Sequence, residues 1–324
     1  MPRRATTVVR PSILRPPAVA AAIVAVLALP SAWLGHVEVQ RRAAVAILGE
    51  SDVSSYPGAL TISDPEAYGD PPELAAIPDL VLLDEDKSVA IRDGCFVESG
   101  SSLLIECEFG DPAGELTIAV VGGSHSEQWF GAVDAVGRAN GMRVLPLLKA
   151  GCPLSTPESA DHPECGRWLE RVIDRLEADP PDFVVTTSTR PTGTGDDFVP
   201  VGYSDVFTRL TATVPVIALR DNPWLPVSMA ECVASSPWLG DCDVPLYENI
   251  AEIDPTLSVE LANIVFLDMN DLICPGDVCS AVQGNRYVYR DDNHLAASYV
   301  ETIAPALEGR LLEAMQHLAP DPGE

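Results

Sequence analysis

Two short stretches of the chain carry residues that could do chemistry together. AVVGGSHSEQWFG, residues 119 to 131, sets Ser124 directly after two glycines, and YRDDNHLAASYV, residues 289 to 300, sets Asp291 and His294 three positions apart. Glycines permit a sharp turn and bring backbone N–H groups close to whatever binds there, so a serine held on such a turn can act as a nucleophile. A spacing of three leaves Asp291 and His294 on one side of a helical turn or tight loop. A carboxylate within reach of one ring nitrogen fixes the imidazole tautomer, and the other nitrogen can then take a proton from a serine. Each stretch also has a plainer reading. Ser124 can cap a helix starting near Ser126, and Asp291 can cap the last helix with His294 merely nearby. The serine turn is not the G-x-S-x-G elbow, because Ser126 stands where the last glycine would be.

Two further places could add to a site. In KAGCP, residues 149 to 153, Gly151 can turn its N–H into a pocket as an oxyanion donor, with Cys152 bonded to Cys165 to hold the loop still; it can equally be an ordinary turn glycine. In TTSTRPTGTG, Ser188, Thr189 or Arg190 can reach inward, although hydroxyls and glycines are also plain loop composition. A metal held by Asp291, Asp292 and His294 lacks ligands.

The elements that must position these residues are short apolar runs rich in β-branched side chains. LTIAVV (116–121), MRVLPLL (142–148), DFVVTT (182–187), VPVIAL (214–219) and NIVFLD (263–268) read as strands covered on both faces. Helical patterns lie between them: about Ser126 to Ala139, CGRWLERVIDRLEA, YSDVFTRLTA, ENIAEIDPTLSVELA and AASYVETIAPALEGRLLEAMQHL. Strand and helix in alternation predict an α/β fold, a parallel sheet of about five strands between two helical layers. Active sites of such sheets gather at the carboxyl ends of the strands. A serine turn after the first strand, a glycine after the second and an Asp-x-x-His before the final helix together supply nucleophile, oxyanion donor, base and base-orienter.

The rest of the chain bounds the reading. With 20 basic and 48 acidic residues in 324, the formal charge of −28 repels nucleic acid and anionic headgroups. Only Lys87 and Lys149 are lysines, which leaves little for a lysine-based phosphate site. From Pro16 to Val37 there is no Asp, Glu, Lys or Arg, and the run can just span a bilayer, as an anchor or a signal peptide. Arg3, Arg4, Arg10 and Arg15 before it place residues 1–15 in the cytoplasm and the C-terminal side of the run outside, a single-pass protein of the cell membrane. Residues 43–115 are irregular and rich in Pro, Asp and Gly, 116–318 form the catalytic domain, and 319–324 a disordered tail. The eight cysteines, Cys95, Cys107, Cys152, Cys165, Cys232, Cys242, Cys274 and Cys279, fall into four local pairs, and an exported domain favours disulfides between neighbours. No CxxC occurs, CPGDVC stands without a second such pair, and neither a metal nor any cofactor is expected.

The ordered set GGSH, KAGC, LRDNPW, LICPGDVC and YRDDNHL, with CEFGD before the first strand, resembles the SGNH hydrolase superfamily over roughly residues 90 to 315. In particular it is similar to the SGNH domain fused to, or partnered with, multi-spanning acyltransferase-3 membrane proteins of bacteria. The resemblance implies a flavodoxin-like three-layer fold, Ser124 as nucleophile, His294 as general base and Asp291 as its orienting acid. It also implies an oxyanion site made by the N–H groups of Ser124 and Gly151. Two departures stand out: Gly123 replaces the Asp of the usual G-D-S-H turn, and TTSTRPTG lacks the Asn oxyanion donor of the wider superfamily, a place that Ser188 or Arg190 could take. The activity implied is O-acyl transfer onto a cell-surface carbohydrate, with an acyltransferase-3 partner. A deacylating carbohydrate esterase or a non-catalytic glycan-binding module are the alternatives.

Overall fold

The computed structural model describes residues 33–39, 42, 52–236 and 238–319. Residues 33–39 form a short helix within a unit of their own, Met1–Ala46, and the fold and its site belong to the unit Ile47–Glu324. Apart from 33–37, the apolar run expected to anchor the chain lies outside the described residues, as does the tail beyond Ala319. Among the described residues no helix is long and apolar enough to cross a membrane.

The core is a mixed α/β domain around six strands: β1 (Phe109–Gly110), β2 (Thr117–Gly122), β3 (Arg143–Leu148), β4 (Phe183–Thr187), β5 (Val216–Leu219) and β6 (Ile264–Leu267). They lie in the order β1-β3-β2-β4-β5-β6. The five expected runs are the five parallel strands, in a register that aligns Val120 with Pro146 and Val185, Val185 with Ile217, and Ile217 with Val265. The sixth, β1, runs antiparallel at the edge beside β3. Two residues are too few to carry a period, so nothing in the sequence marked it.

Five helices matter for the site: α1 (Ser124–Glu127), α2 (Phe130–Asn140), α3 (Pro163–Ala178), α4 (Val201–Leu210) and α5 (Ala297–Leu318). Every residue of β2 is buried, because helices cover both faces of the sheet. Ile118 and Val120 point into a layer with Phe130 and Val133 of α2 and Tyr299 and Ile303 of α5. Ala119 and Val121 point into the other, with Trp168, Leu169 and Val172 of α3 and Val206 and Phe207 of α4. In α3 the buried positions Cys165, Trp168, Leu169, Val172, Ile173 and Leu176 make one helical stripe, and Pro163 sits in the first turn where its missing N–H costs nothing. The helical reading of ENIAEIDPTLSVELA is corrected. Asp254 caps only a 3₁₀ turn, Pro255–Ser258, since Pro255 cannot continue a helix begun before it.

Residues 52–115 hold short helical turns and pack on the same domain through backbone groups. The Gly58 N–H donates to the Gly284 carbonyl at 3.0 Å, and the Ala59 N–H to Thr302 Oγ1 of α5 at 2.8 Å. Val97 pairs with the end of β3, its N–H on the Leu148 carbonyl at 2.9 Å, and Lys149 Nζ donates to the Glu98 and Ser99 carbonyls at 2.8 Å each. Buried Lys149 is thus committed to bracing the strand end that leads to Gly151. All four neighbour disulfides form: Cys95–Cys107, Cys152–Cys165, Cys232–Cys242 and Cys274–Cys279. Such bonds belong to an oxidising compartment, so the domain is extracytoplasmic.

Trp168 is fully buried between α3 and the sheet. Trp168→Ala is expected to cost about 3–5 kcal/mol, read as a lower denaturant midpoint at unchanged slope.

Candidate active site

The carboxyl ends of β2, β3, β4 and β5 open on one cavity of ≈ 300 Å³ whose lining includes Ser124, Gly151, Thr187, Arg190, Trp224 and His294. The turn after β2 makes the first wall. Gly122 has φ +138°, and a Cβ there would lie 2.4 Å from Ser126 Oγ, so glycine is obligatory on both counts. Gly123, extended, takes the N-cap position of α1, and its carbonyl accepts from the Ser126 and Glu127 N–H groups at 3.1 and 2.9 Å. Ser124 is therefore the first residue inside the helix and makes no capping bond.

Its hydroxyl instead donates to His294 Nε2 at 2.8 Å. The other ring nitrogen, Nδ1, donates to Asp291 Oδ2 at 2.8 Å. Asp291 Oδ1 accepts from the N–H groups of Asn293 and His294 at 2.9 and 2.6 Å, and the Arg290 N–H closes the loop on the His294 carbonyl at 2.9 Å. Burial pushes the Asp291 carboxyl up, but the hydrogen bond and charge of the His294 ring and the two backbone N–H groups outweigh it and hold the group at about 2. An ionised carboxylate only accepts, so Nδ1 carries the hydrogen and Nε2 presents its lone pair to the serine.

Gly151, at φ +61°, faces the same cavity, and neither its N–H nor that of Ser124 has a protein acceptor among the described residues. Those are the donors a developing oxyanion needs. Cys152, fully buried, ties this loop to α3 through Cys165. A Cβ at Gly123 would stand 3.2 Å from Pro153 N and 3.3 Å from the Cys152 carbonyl carbon. Even a methyl group here would press on the backbone of the loop after β3.

Of the other candidates, Arg190 reaches the cavity, its guanidinium 5.2 Å from the Trp224 ring centre. Ser188 does not. It is fully buried at the end of β4, its N–H on the Leu219 carbonyl at 2.7 Å, and it is Thr187 that lines the cavity. Thr189 is turned inward to accept from the Asp221 N–H at 3.0 Å.

Sequence reasoning passed over the residues that hold the two halves of the site together. Gln128 donates to Asn222 Oδ1 at 2.7 Å and accepts from the Leu295 N–H at 2.8 Å, while Asn222 Nδ2 donates to the Asn293 carbonyl at 2.8 Å. Both amides are fully buried. Behind them Glu127 accepts from Arg290 Nη2 at 3.3 Å and from the Ser88 N–H at 3.0 Å. The signal was present: both stretches that carry the candidate residues also carry adjacent polar groups, EQ after GGSHS and R before DDNH. A second carboxylate–imidazole pair was missed as well, His125 Nδ1 to Asp221 Oδ1 at 2.9 Å.

Gln128→Leu keeps the volume but orphans the Leu295 N–H and Asn222 Oδ1, each at about 1–3 kcal/mol. Lower thermal stability is expected, together with slower acylation of Ser124 as the His294 loop loses its tether.

The sequence from 94 to 309 matches the family described as SGNH domain (fused to AT3 domains). No curated protein is a significant match. Among solved structures the chain is similar to the periplasmic domain of a lipopolysaccharide acetyltransferase from Salmonella ser. Paratyphi A, at 14% identity and a TM-score of 0.50, over 63% of this chain and 86% of that one. At that identity the likeness concerns the fold. The match across the sheet and all four cavity-forming strand ends means that the chain belongs to the family of SGNH domains fused to AT3 domains and is an acyltransferase or esterase of the SGNH type.

Proposed function

We propose that the chain is an extracytoplasmic serine O-acyltransferase that moves an acyl group, acetyl in the simplest case, onto a cell-surface carbohydrate through an ester on Ser124. The observation that carries this reading is the unbroken chain Ser124 Oγ–His294–Asp291, with both links at 2.8 Å, opening on a cavity. His294 Nε2 takes the Ser124 proton as Oγ attacks the donor carbonyl, and the N–H groups of Ser124 and Gly151 hold the oxyanion. Asp291 keeps the ring in its tautomer and faces the imidazolium that forms. The imidazolium protonates the leaving group, and the same nitrogen then accepts the proton of the attacking sugar hydroxyl.

The four disulfides and the family description support the location and the partner. The apolar run 16–37 supplies the anchor, and an acyltransferase-3 membrane protein delivers the acyl group. The strand order is the flavodoxin-type order with one antiparallel edge strand added. The relative from Salmonella, named as a lipopolysaccharide acetyltransferase periplasmic domain, makes a surface glycan the natural acceptor class. Water winning at the same acyl-enzyme would give the esterase. A non-catalytic glycan module has no use for an imidazole held between a carboxylate and a serine.

Fluorophosphonate labelling of the protein is expected at Ser124 and nowhere else, to vanish in Ser124→Ala, and to slow by at least about a hundredfold in His294→Ala, the scale of general-base assistance. Equal labelling of wild type and Ser124→Ala would sink the reading. Because the folded Asp291 carboxyl sits at about 2, below its ordinary ~3.9, its stabilising contribution is complete above the ordinary value and is lost as the pH falls through the folded one. Asp291→Asn therefore melts below wild type near about pH 5, and the gap closes toward about pH 2. A gap that stays constant over that range contradicts the pairing.

A further inference from the structure

The cavity holds two carboxylate-oriented imidazoles and only one serine. His125 Nδ1 lies 2.9 Å from Asp221 Oδ1, with the Asp221 side chain 3% exposed and the His125 side chain 17% exposed. Asp221 is itself fixed, its Oδ1 accepting from the Asn222 N–H at 3.0 Å and its own N–H bonded to Thr189 Oγ1. A carboxylate accepts, so Nδ1 of His125 carries the hydrogen and Nε2 is left with a lone pair. No group among the described residues bonds that Nε2, and His125 lines the cavity. The His125 ring stacks on Trp224, with centroids 5.2 Å apart at 27°, and lies tilted against His294, at 4.7 Å and 31°. Two proton-accepting rings thus stand next to each other at one open site, one with its Nε2 engaged by Ser124 and the other with no bond at Nε2 among the described residues.

A single histidine suffices for both chemical steps at Ser124, because esterification of Oγ frees His294 for the acceptor. His125 therefore has no work to do on the serine. A tie between α1 and the loop after β5 explains its Nδ1 but leaves a free, cavity-facing Nε2 without purpose.

We infer, resting on the acyltransferase reading, that His125 is the acceptor-binding residue: its Nε2 accepts a hydrogen bond from a second hydroxyl of the acceptor, so the substrate is a molecule with neighbouring hydroxyls, as on a sugar ring. One hydroxyl sits over His294 and attacks. Its O–H bond breaks with the proton going to His294 Nε2, the new ester C–O bond forms as the Ser124 ester bond breaks, and the proton passes on to Ser124 Oγ. The neighbouring hydroxyl stays intact and donates to His125. With the two ring centroids 4.7 Å apart, hydroxyls on adjacent carbons have the spacing that suits both rings. A simple alcohol, with one O–H to donate, can engage only one, so a diol is the preferred acceptor over a mono-alcohol.

The test uses 4-nitrophenyl acetate as donor, and propane-1,2-diol against propan-1-ol as acceptors at equal concentration, with ester products quantified. Wild type is expected to favour the diol by about tenfold, the scale of one net hydrogen bond. His125→Asn keeps an N–H for Asp221 and removes Nε2; it is expected to lose the preference. The preference is a ratio within each variant, so a general loss of rate cancels. A wild type that transfers without favouring the diol overturns the inference, as does a variant that keeps the preference. A wild type that labels at Ser124 yet transfers to neither alcohol defeats the transferase reading instead.

Discussion

One buried amide joins the halves of this site. The serine arrives on the turn after β2 and the histidine on a loop far along the chain, and Gln128 is the side chain that bonds both sides of the gap. A buried amide is costly unless all its hydrogen-bonding groups find partners, and here each partner is a fixed backbone or amide group that cannot shift without orphaning another. The requirement propagates. Asn222 must face Gln128, which sets the loop after β5; that loop presents Asp221 to His125; and the Asn293 carbonyl must meet Asn222, which sets the His294 loop. The Glu127–Arg290 pair adds a charged bond directly behind, tying α1 to the residue before Asp291.

The cap position and Ser124 are separate in this turn, displaced by one residue. Gly123 occupies the cap position, which a glycine fills at little cost, and Ser124 is released from backbone duty. Its hydroxyl then has a single partner, His294.

What could be read from the chain depended on how local the physics is. The five parallel strands announced themselves as apolar runs because both faces are covered, and the disulfides joined neighbours. The Asp-x-x-His spacing put its two side chains together within one tight turn. Tertiary pairing was not legible. Glu127, Gln128 and Asn222 look like the polar residues of any turn, and nothing local says that the first two point inward at the end of α1 while the third meets Gln128 from the loop after β5. The same blindness applied to His125, whose carboxylate lies in LRDNPW. Ser188 failed for a smaller reason: at the end of a strand, one residue of offset decides which side chain lines the cavity, and Thr187 holds that place. The stretch around Pro255 carried helical spacing but also the residue that stops a helix.

Gly123 has a consequence for how this architecture can vary. A Cβ on Gly123 would stand 3.2 Å from Pro153 N, so the turn after β2 and the loop after β3 meet here backbone against backbone. The bare position is then a close backbone contact, and the loop on its other side is held by the Cys152–Cys165 bond. A side chain at this position asks the loop after β3 to give way, so the two turns are constrained to vary together.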